Sequence, residues 1–255
     1  MGLFETMRRI ARLGYMVLAF LCASTLFAQT TPRPVTLQVE IVNPNPGEKP
    51  ASTKASADLS NVVVWLTPIG AGVVPPASSV GPIPQIAQTH KSFDPYLLVI
   101  QVGTAVQFPN KDPFLHNVFS LYNGKRFDLG FYEAGSSKTV HFDRPGVSFL
   151  FCNIHPEMSA VVVAVDTPYF GISDRAGRVS IPKVPESQYQ LNVWYDRSLP
   201  ADLKSLSRVV TISDTARSLE TIRVIENPNF TLEHKNKYGQ DYLPPASTNP
   251  SYKHP

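Results

Sequence analysis

Twenty-four prolines cut this 255-residue chain into short pieces. A proline inside a helix removes a hydrogen bond and clashes with the carbonyl one turn back, so long helices are disfavoured. The pieces between the prolines and glycines read as strands. "PVTLQVEIV" alternates, with Val35, Leu37, Val39 and Ile41 on one face. "VVVWL" (Val62–Leu66) is a short apolar run of the buried-strand kind. "YLLVIQV", "AVQF", "KTVHF", "VSFLFC" and "AVVVAV" follow, with turn residues between them. Closely spaced short strands of this type predict an all-β sandwich or barrel.

The first residues read differently. Arg8, Arg9 and Arg12 lead into the apolar run "LGYMVLAFLCASTLFA". Its length and flanks are those of a secretory signal, with cleavage after Ala28, although a retained anchor stays open. Leu21 before Cys22 is too bulky for a lipid-anchor site. Removing 1–28 takes Lys+Arg from 23 to 20 and Asp+Glu from 20 to 19, leaving a net charge of +1. That balance gives no reason to expect nucleic acid or an anionic membrane surface as a partner. The expected localisation is periplasmic or secreted, with no stable membrane insertion once the signal is gone.

Export sharpens the meaning of "CNIHPEM". Without the signal, Cys152 and Met158 are the only cysteine and methionine left. A single thiol cannot form an internal disulfide, and in an oxidising compartment it is a liability unless something occupies it. Thiolate, imidazole and thioether at Cys152, His155 and Met158 form a soft donor set for a metal. His116, in "FPNKDPFLHNVFS", is the candidate fourth donor because it sits at a strand end. Two histidine nitrogens, a cysteine sulfur and a weak axial methionine make the arrangement of copper electron-transfer sites.

These residues resemble the cupredoxin (blue copper) family, in particular plastocyanin and amicyanin. "CNIHPEM" is similar to the Cys-x2-His-x2-Met loop of amicyanin, and "FPN…HN" to the segment that carries the first histidine ligand. The resemblance covers roughly 35–165 and implies one type 1 copper ion held by His116, Cys152, His155 and Met158. It also implies outer roles for Asn110 and for Asn117, the latter tying the two ligand loops together. The chain departs from the family at 69–92, an insertion that leaves the metal-proximal surface open. "TPYFGISDRAGRVSIPKVPESQYQLNVWYD" resembles a carboxypeptidase regulatory-like β domain. The pairing resembles exported two-domain proteins labelled "methylamine utilization", a label that identifies no substrate.

The expected organisation is therefore a signal at 1–28, a cupredoxin-like Greek-key sandwich at 29–165, a small β-sandwich at 166–225 and a polar, extended or disordered tail at 226–255. The expected function is a single-electron carrier cycling between Cu(II) and Cu(I), with a cytochrome or a dehydrogenase as redox partner. Two other readings stay open: a copper-handling protein without electron transfer, and a carbohydrate-binding or adhesion module. An enzyme is disfavoured. His90, His141, His234 and His254 are dispersed and read as solvated, and no haem, phosphate-loop or G-x-S-x-G motif is present. Trp65 and Trp194 read as packing residues.

Overall fold

The computed structural model describes residues 33–42, 58–70, 74–77, 81–121, 124–231 and 234–242. The expected signal, Cys22 and His254 lie outside them. No helix among the described residues is long and apolar enough to cross a membrane.

The described chain is all-β, as its prolines and alternating runs predict. The strands are β1 (Val35–Val42), β2 (Val63–Pro68), β3 (Ala87–Thr89), β4 (Ser92–Asp94), β5 (Leu97–Gln101), β6 (Thr104–Pro109), β7 (His116–Ser120) and β8 (Phe127–Tyr132). They continue with β9 (Ser137–Phe142), β10 (Gly146–Phe151), β11 (Ser159–Val165), β12 (Phe170–Ile172), β13 (Arg178–Ile181) and β14 (Ser187–Trp194). A six-residue helix α1 (Pro200–Ser205), opened by its proline, precedes β15 (Arg208–Ile212) and β16 (Ile222–Ile225).

A five-stranded sheet, ordered β5-β11-β10-β7-β8, faces the β6–β9 pair. Between them lies a core that includes Val106, Phe108, Phe142, Leu150 and Val162. This is the sandwich that carries the candidate ligands. A second core, with Leu66, Ile181, Tyr189 and Leu191, lies between two other sheets, ordered β13-β1-β16 and β12-β2-β14-β15.

The run "AVVVAV" in β11 lacks polar alternation because both of its faces are covered. Ala160, Val162 and Ala164 join the ligand-bearing core. Val161, Val163 and Val165 join a third cluster with Leu97 and Val99 of β5 and Val63 of β2, against which Trp65, Phe170 and Trp194 pack. That cluster glues the two sandwiches together. It also explains the doubly apolar "VVVWL": Val62, Val64 and Leu66 face one core while Val63 and Trp65 face the other.

The sheets do not divide where the sequence division at 165/166 places them. β1 pairs antiparallel with β13 and parallel with β16. β2 pairs with β12 and with β14, Leu66 standing opposite Leu191. Both early strands therefore belong to the sandwich of the C-terminal segment, and the expectation that they open the copper unit is corrected. Alternation gives a strand its faces but does not name its neighbour.

A turn at Asp174–Gly177 is closed by the Gly177 N–H to the Asp174 carbonyl at 2.8 Å. Gly177 has φ +77°, and a Cβ there would lie 2.3 Å from the Val39 carbonyl oxygen. Gly177→Ala should therefore lower unfolding free energy by about 2 kcal/mol or more, through left-handed strain and displacement of β1. Urea unfolding measures this; an unchanged midpoint would show that the turn yields freely.

Candidate metal centre

Two chain reversals deliver the donors. The first precedes β7. Asn110 accepts the Asp112 N–H at 3.0 Å and donates its amide to the Phe114 carbonyl at 2.8 Å and to the Tyr132 carbonyl at 3.3 Å. Its side chain thus shapes the loop that ends at His116. The second reversal joins β10 to β11. Phe151 pairs with Ser159 at the neck, and the Cys152 N–H reaches the Met158 carbonyl at 3.4 Å. The Met158 N–H turns back to the His155 carbonyl at 3.1 Å. Cys152 and Met158 are fully buried and belong to the sandwich core.

The structure brings His116, Cys152 and His155 together. One ligand atom from each lies within 4.8 Å of the others. Cys152 Sγ is 3.6 Å from His155 Nδ1 and 3.9 Å from His116 Nδ1. The imidazole rings stand 4.9 Å apart at 60°, with the Phe114 ring 5.2 Å from one and 5.7 Å from the other. His116 is fully buried and His155 is 5% exposed.

Asp112, which the sequence reading passed over, orients His116. Its Oδ2 is 2.8 Å from His116 Nε2 and also accepts the Lys91 N–H at 2.9 Å, while Oδ1 takes the His90 N–H at 2.7 Å. A carboxylate on Nε2 assigns the proton to that nitrogen and turns the Nδ1 lone pair toward the thiol. The tip of the 69–92 insertion thus lies against the site and holds its orienting carboxylate. Asp112 followed by His116 at four residues was the available signal.

Electrostatics keep the donors usable. Burial pushes Asp112 up, but the Lys91 N–H, the imidazole and the His90 N–H outweigh it and hold the carboxyl below its usual range. Burial lowers His116 against the pull of Asp112. His155 is pushed down to about 4, first by burial and then by His116. Both imidazoles are therefore neutral at neutral pH. Burial raises the Cys152 thiol, opposed by main-chain N–H groups of Ile154, Asn117 and His155 aimed at its sulfur. A metal ion held here would require loss of the thiol proton, and the same main-chain N–H groups would then face the thiolate.

Asn117 ties the two ligand loops, but through its main chain rather than its side chain. Its side-chain amide donates to Asp128 Oδ1 at 2.7 Å and to the Gly130 carbonyl at 3.1 Å, on β8. Its direct link to Cys152 is made by the main chain. His90 and His141 are exposed, as read, and Trp65 and Trp194 pack against the shared cluster. His234 is the correction: instead of standing in solvent, its ring stacks on Phe151 at 3.8 Å. Among the described residues of the expected tail, 234–242 forms no strand and lies against the Cys152 loop.

Two buried neutral imidazoles and a buried thiol, with no carboxylate among the three converging atoms, suit a soft or borderline metal rather than calcium or magnesium. A β-sandwich that carries these donors at two strand ends, with a buried methionine closing the same loop, is a cupredoxin-like arrangement.

No family model matches the chain, and no curated protein matches it. Among solved structures it is similar to the purple cupredoxin of Nitrosopumilus maritimus, with 28% identity over 32% of this chain and 99% of that one, at a TM-score of 0.29. The Cu-containing nitrite reductase of Thermus scotoductus SA-01 is 25% identical over 39% of this chain, at a TM-score of 0.32. The alignment spans only 25% of that enzyme's length. An amicyanin variant in its Cu(I) form is 16% identical over 40% of this chain and 98% of its own, at 0.31.

Proposed function

We propose that this protein is an exported type 1 copper protein that carries single electrons. The observation that supports this reading is the convergence of Cys152 Sγ and one ring nitrogen each of His116 and His155 within 4.8 Å, in a buried site on a β frame. Copper held by these three, with Met158 as a weak thioether donor, would supply a Cu(II)/Cu(I) couple.

The chain's own residues do the rest. The strand ends and the neck of the Cys152 loop fix the donors in advance, so a change of oxidation state need not rearrange them. Asp112 holds the His116 tautomer. Phe114 lies beside both imidazoles and, with Pro156, offers an apolar face near His155 for a redox partner such as a cytochrome or dehydrogenase. Burial of all three donors suits electron exchange through the protein matrix, in which the partner does not coordinate the metal. The reading as a carrier rather than an enzyme, and the periplasmic or secreted location, are parts of this proposal.

Copper content and a visible spectrum of the Cu(II)-loaded mature protein provide the test. One ion per chain and an intense thiolate-to-copper band are expected. Stoichiometric copper without the band would favour a copper-handling role, and no binding would leave the adhesion reading. Asp112→Ala should weaken Cu(II) binding by about 10–100-fold, the usual effect of losing an outer partner of a ligand histidine. Asp112→Asn, which still accepts from Nε2–H, should lose less. Chelator competition separates the two; equal affinities in both variants and the parent would remove Asp112 from the site.

A further inference from the structure

We propose that the C-terminal segment 234–242 is a working part of the metal centre, a strap that fixes the Cys152 loop relative to β7, with Lys237 and Tyr242 as positioning residues. This segment lies outside both sandwiches and forms no strand. It has its own turn. Asn236 Oδ1 accepts the N–H groups of Tyr238 at 2.9 Å and Gln240 at 3.1 Å, and the Gly239 N–H returns to the Asn236 carbonyl at 2.9 Å. The strap thus holds its own turn through internal hydrogen bonds.

It then grips the ligand loop at three places. The Tyr242 hydroxyl donates to the Cys152 carbonyl at 2.7 Å. The Lys237 N–H donates to Asn153 Oδ1 at 3.0 Å. His234 Nε2 donates to the Pro156 carbonyl at 2.9 Å, its ring lies on Phe151, and its Nδ1 is 3.2 Å from the Tyr242 hydroxyl.

A fourth contact reaches the other ligand segment. Lys237 Nζ is 2.7 Å from Asp128 Oδ2, and Asp128 Oδ1 accepts the Asn117 amide at 2.7 Å. Asn117 follows His116, and Asn153 follows Cys152. The path Asn117–Asp128–Lys237–Asn153 thus joins the neighbours of two metal donors that lie 36 residues apart in sequence. The strap thus adds a side-chain path to the main-chain tie that Asn117 already makes to Cys152. The Lys237 side chain is only 17% exposed, which spares its ion pair much of the screening that makes surface pairs weak.

A seven-residue loop held at these points before an ion arrives loses less freedom on binding, which is how preorganisation raises affinity. The inference rests on the copper reading for its metal-binding arm alone. Its other arm uses the metal-free, full-length protein under native conditions. The rate at which Ellman's reagent modifies Cys152 reports local opening of the buried loop.

Lys237→Met and Tyr242→Phe should each raise that rate by about 5–10-fold, the effect of one charge-assisted or neutral hydrogen bond. Lys235→Met is the control. Lys235 lies on the same strap and carries the same charge, but its ion pair is to Asp241 within the strap. That control should react like the parent. In the Cu(II)-loaded protein the first two variants should shift the charge-transfer band and weaken binding by about 10-fold, with the control unmoved.

Parent-like rates in all three variants would overturn the proposal. So would an equal rise in all three accompanied by a lower urea midpoint, because that pattern reports general loosening. A parent that gives no band while the thiol rates separate would sink the copper reading and leave the strap. A parent with the band and no separation in either arm would do the reverse.

Discussion

Cys152→Ser should abolish the visible charge-transfer absorption of the Cu(II)-loaded protein. It should also weaken Cu(II) binding by more than the roughly 10–100-fold expected for the loss of an outer partner. The band needs a thiolate, and Cys152 is the only cysteine among the described residues. Serine is close in size, and its hydroxyl would inherit the main-chain N–H donors of Asn117, Ile154 and His155 that now face the sulfur. Fold stability should therefore change by only about 1 kcal/mol, a small value for a fully buried site. That contrast separates the two roles a buried cysteine can play. A packing thiol would show in the urea midpoint and leave copper binding alone; a ligand would do the opposite. Copper titration, the visible spectrum and urea unfolding of the same variant decide between them. A retained band would place the thiolate elsewhere and remove the basis of the proposed function.

Much of the site was legible because its chemistry is local. Cys152, His155 and Met158 lie in one seven-residue run, so spacing and donor type could be read together. His116 was legible from its context, at the end of a loop that enters a strand. The parts that were missed act across space. Asp112 reaches His116 through a turn whose shape depends on Asn110 and on the main chain at His90 and Lys91. Nothing at 90 or 91 signals that role, because the donors there are backbone groups. The strap was read as a solvated tail because 234–242 is polar and aperiodic. Its two tyrosines, Tyr238 and Tyr242, were the available hint, and Tyr242 is the one used.

For the strands the same physics sets the boundary of what can be read. Period-two alternation marked β1, and continuous apolar runs marked β2 and β11, because each pattern follows from which faces are covered. Partner choice depends on complementarity between faces that are distant in sequence. The parallel pairing of β1 with β16, whose Val39 and Ile222 stand opposite, leaves no local trace in either strand.

That pairing sets the largest stability effect expected for the chain. A fragment holding 166–225 alone, the small domain as the sequence divides it, should not fold. Both of its sheets would lose an interior strand: β1 lies between β13 and β16, and β2 between β12 and β14. The core would lose Val35, Leu37, Val39, Val62, Val64 and Leu66, six of its eighteen buried residues. At about 1.5–3 kcal/mol for each side chain, the loss is about 9 kcal/mol at the low end. A whole domain is stable by only about 5–15 kcal/mol. Far-UV circular dichroism and thermal unfolding of the fragment should show a coil with no cooperative transition. A cooperative transition would mean that β1 and β2 are dispensable to that core. The ligand-bearing sandwich should behave differently, since every residue of its core lies within 86–164. Cut free, it keeps that interior but bares Leu97, Val99, Val161, Val163 and Val165, so it should fold and then associate through the face that β2 and Trp194 now cover. The asymmetry follows from connectivity. One unit is contiguous in sequence, while the other closes only when the first and last of the described strands meet.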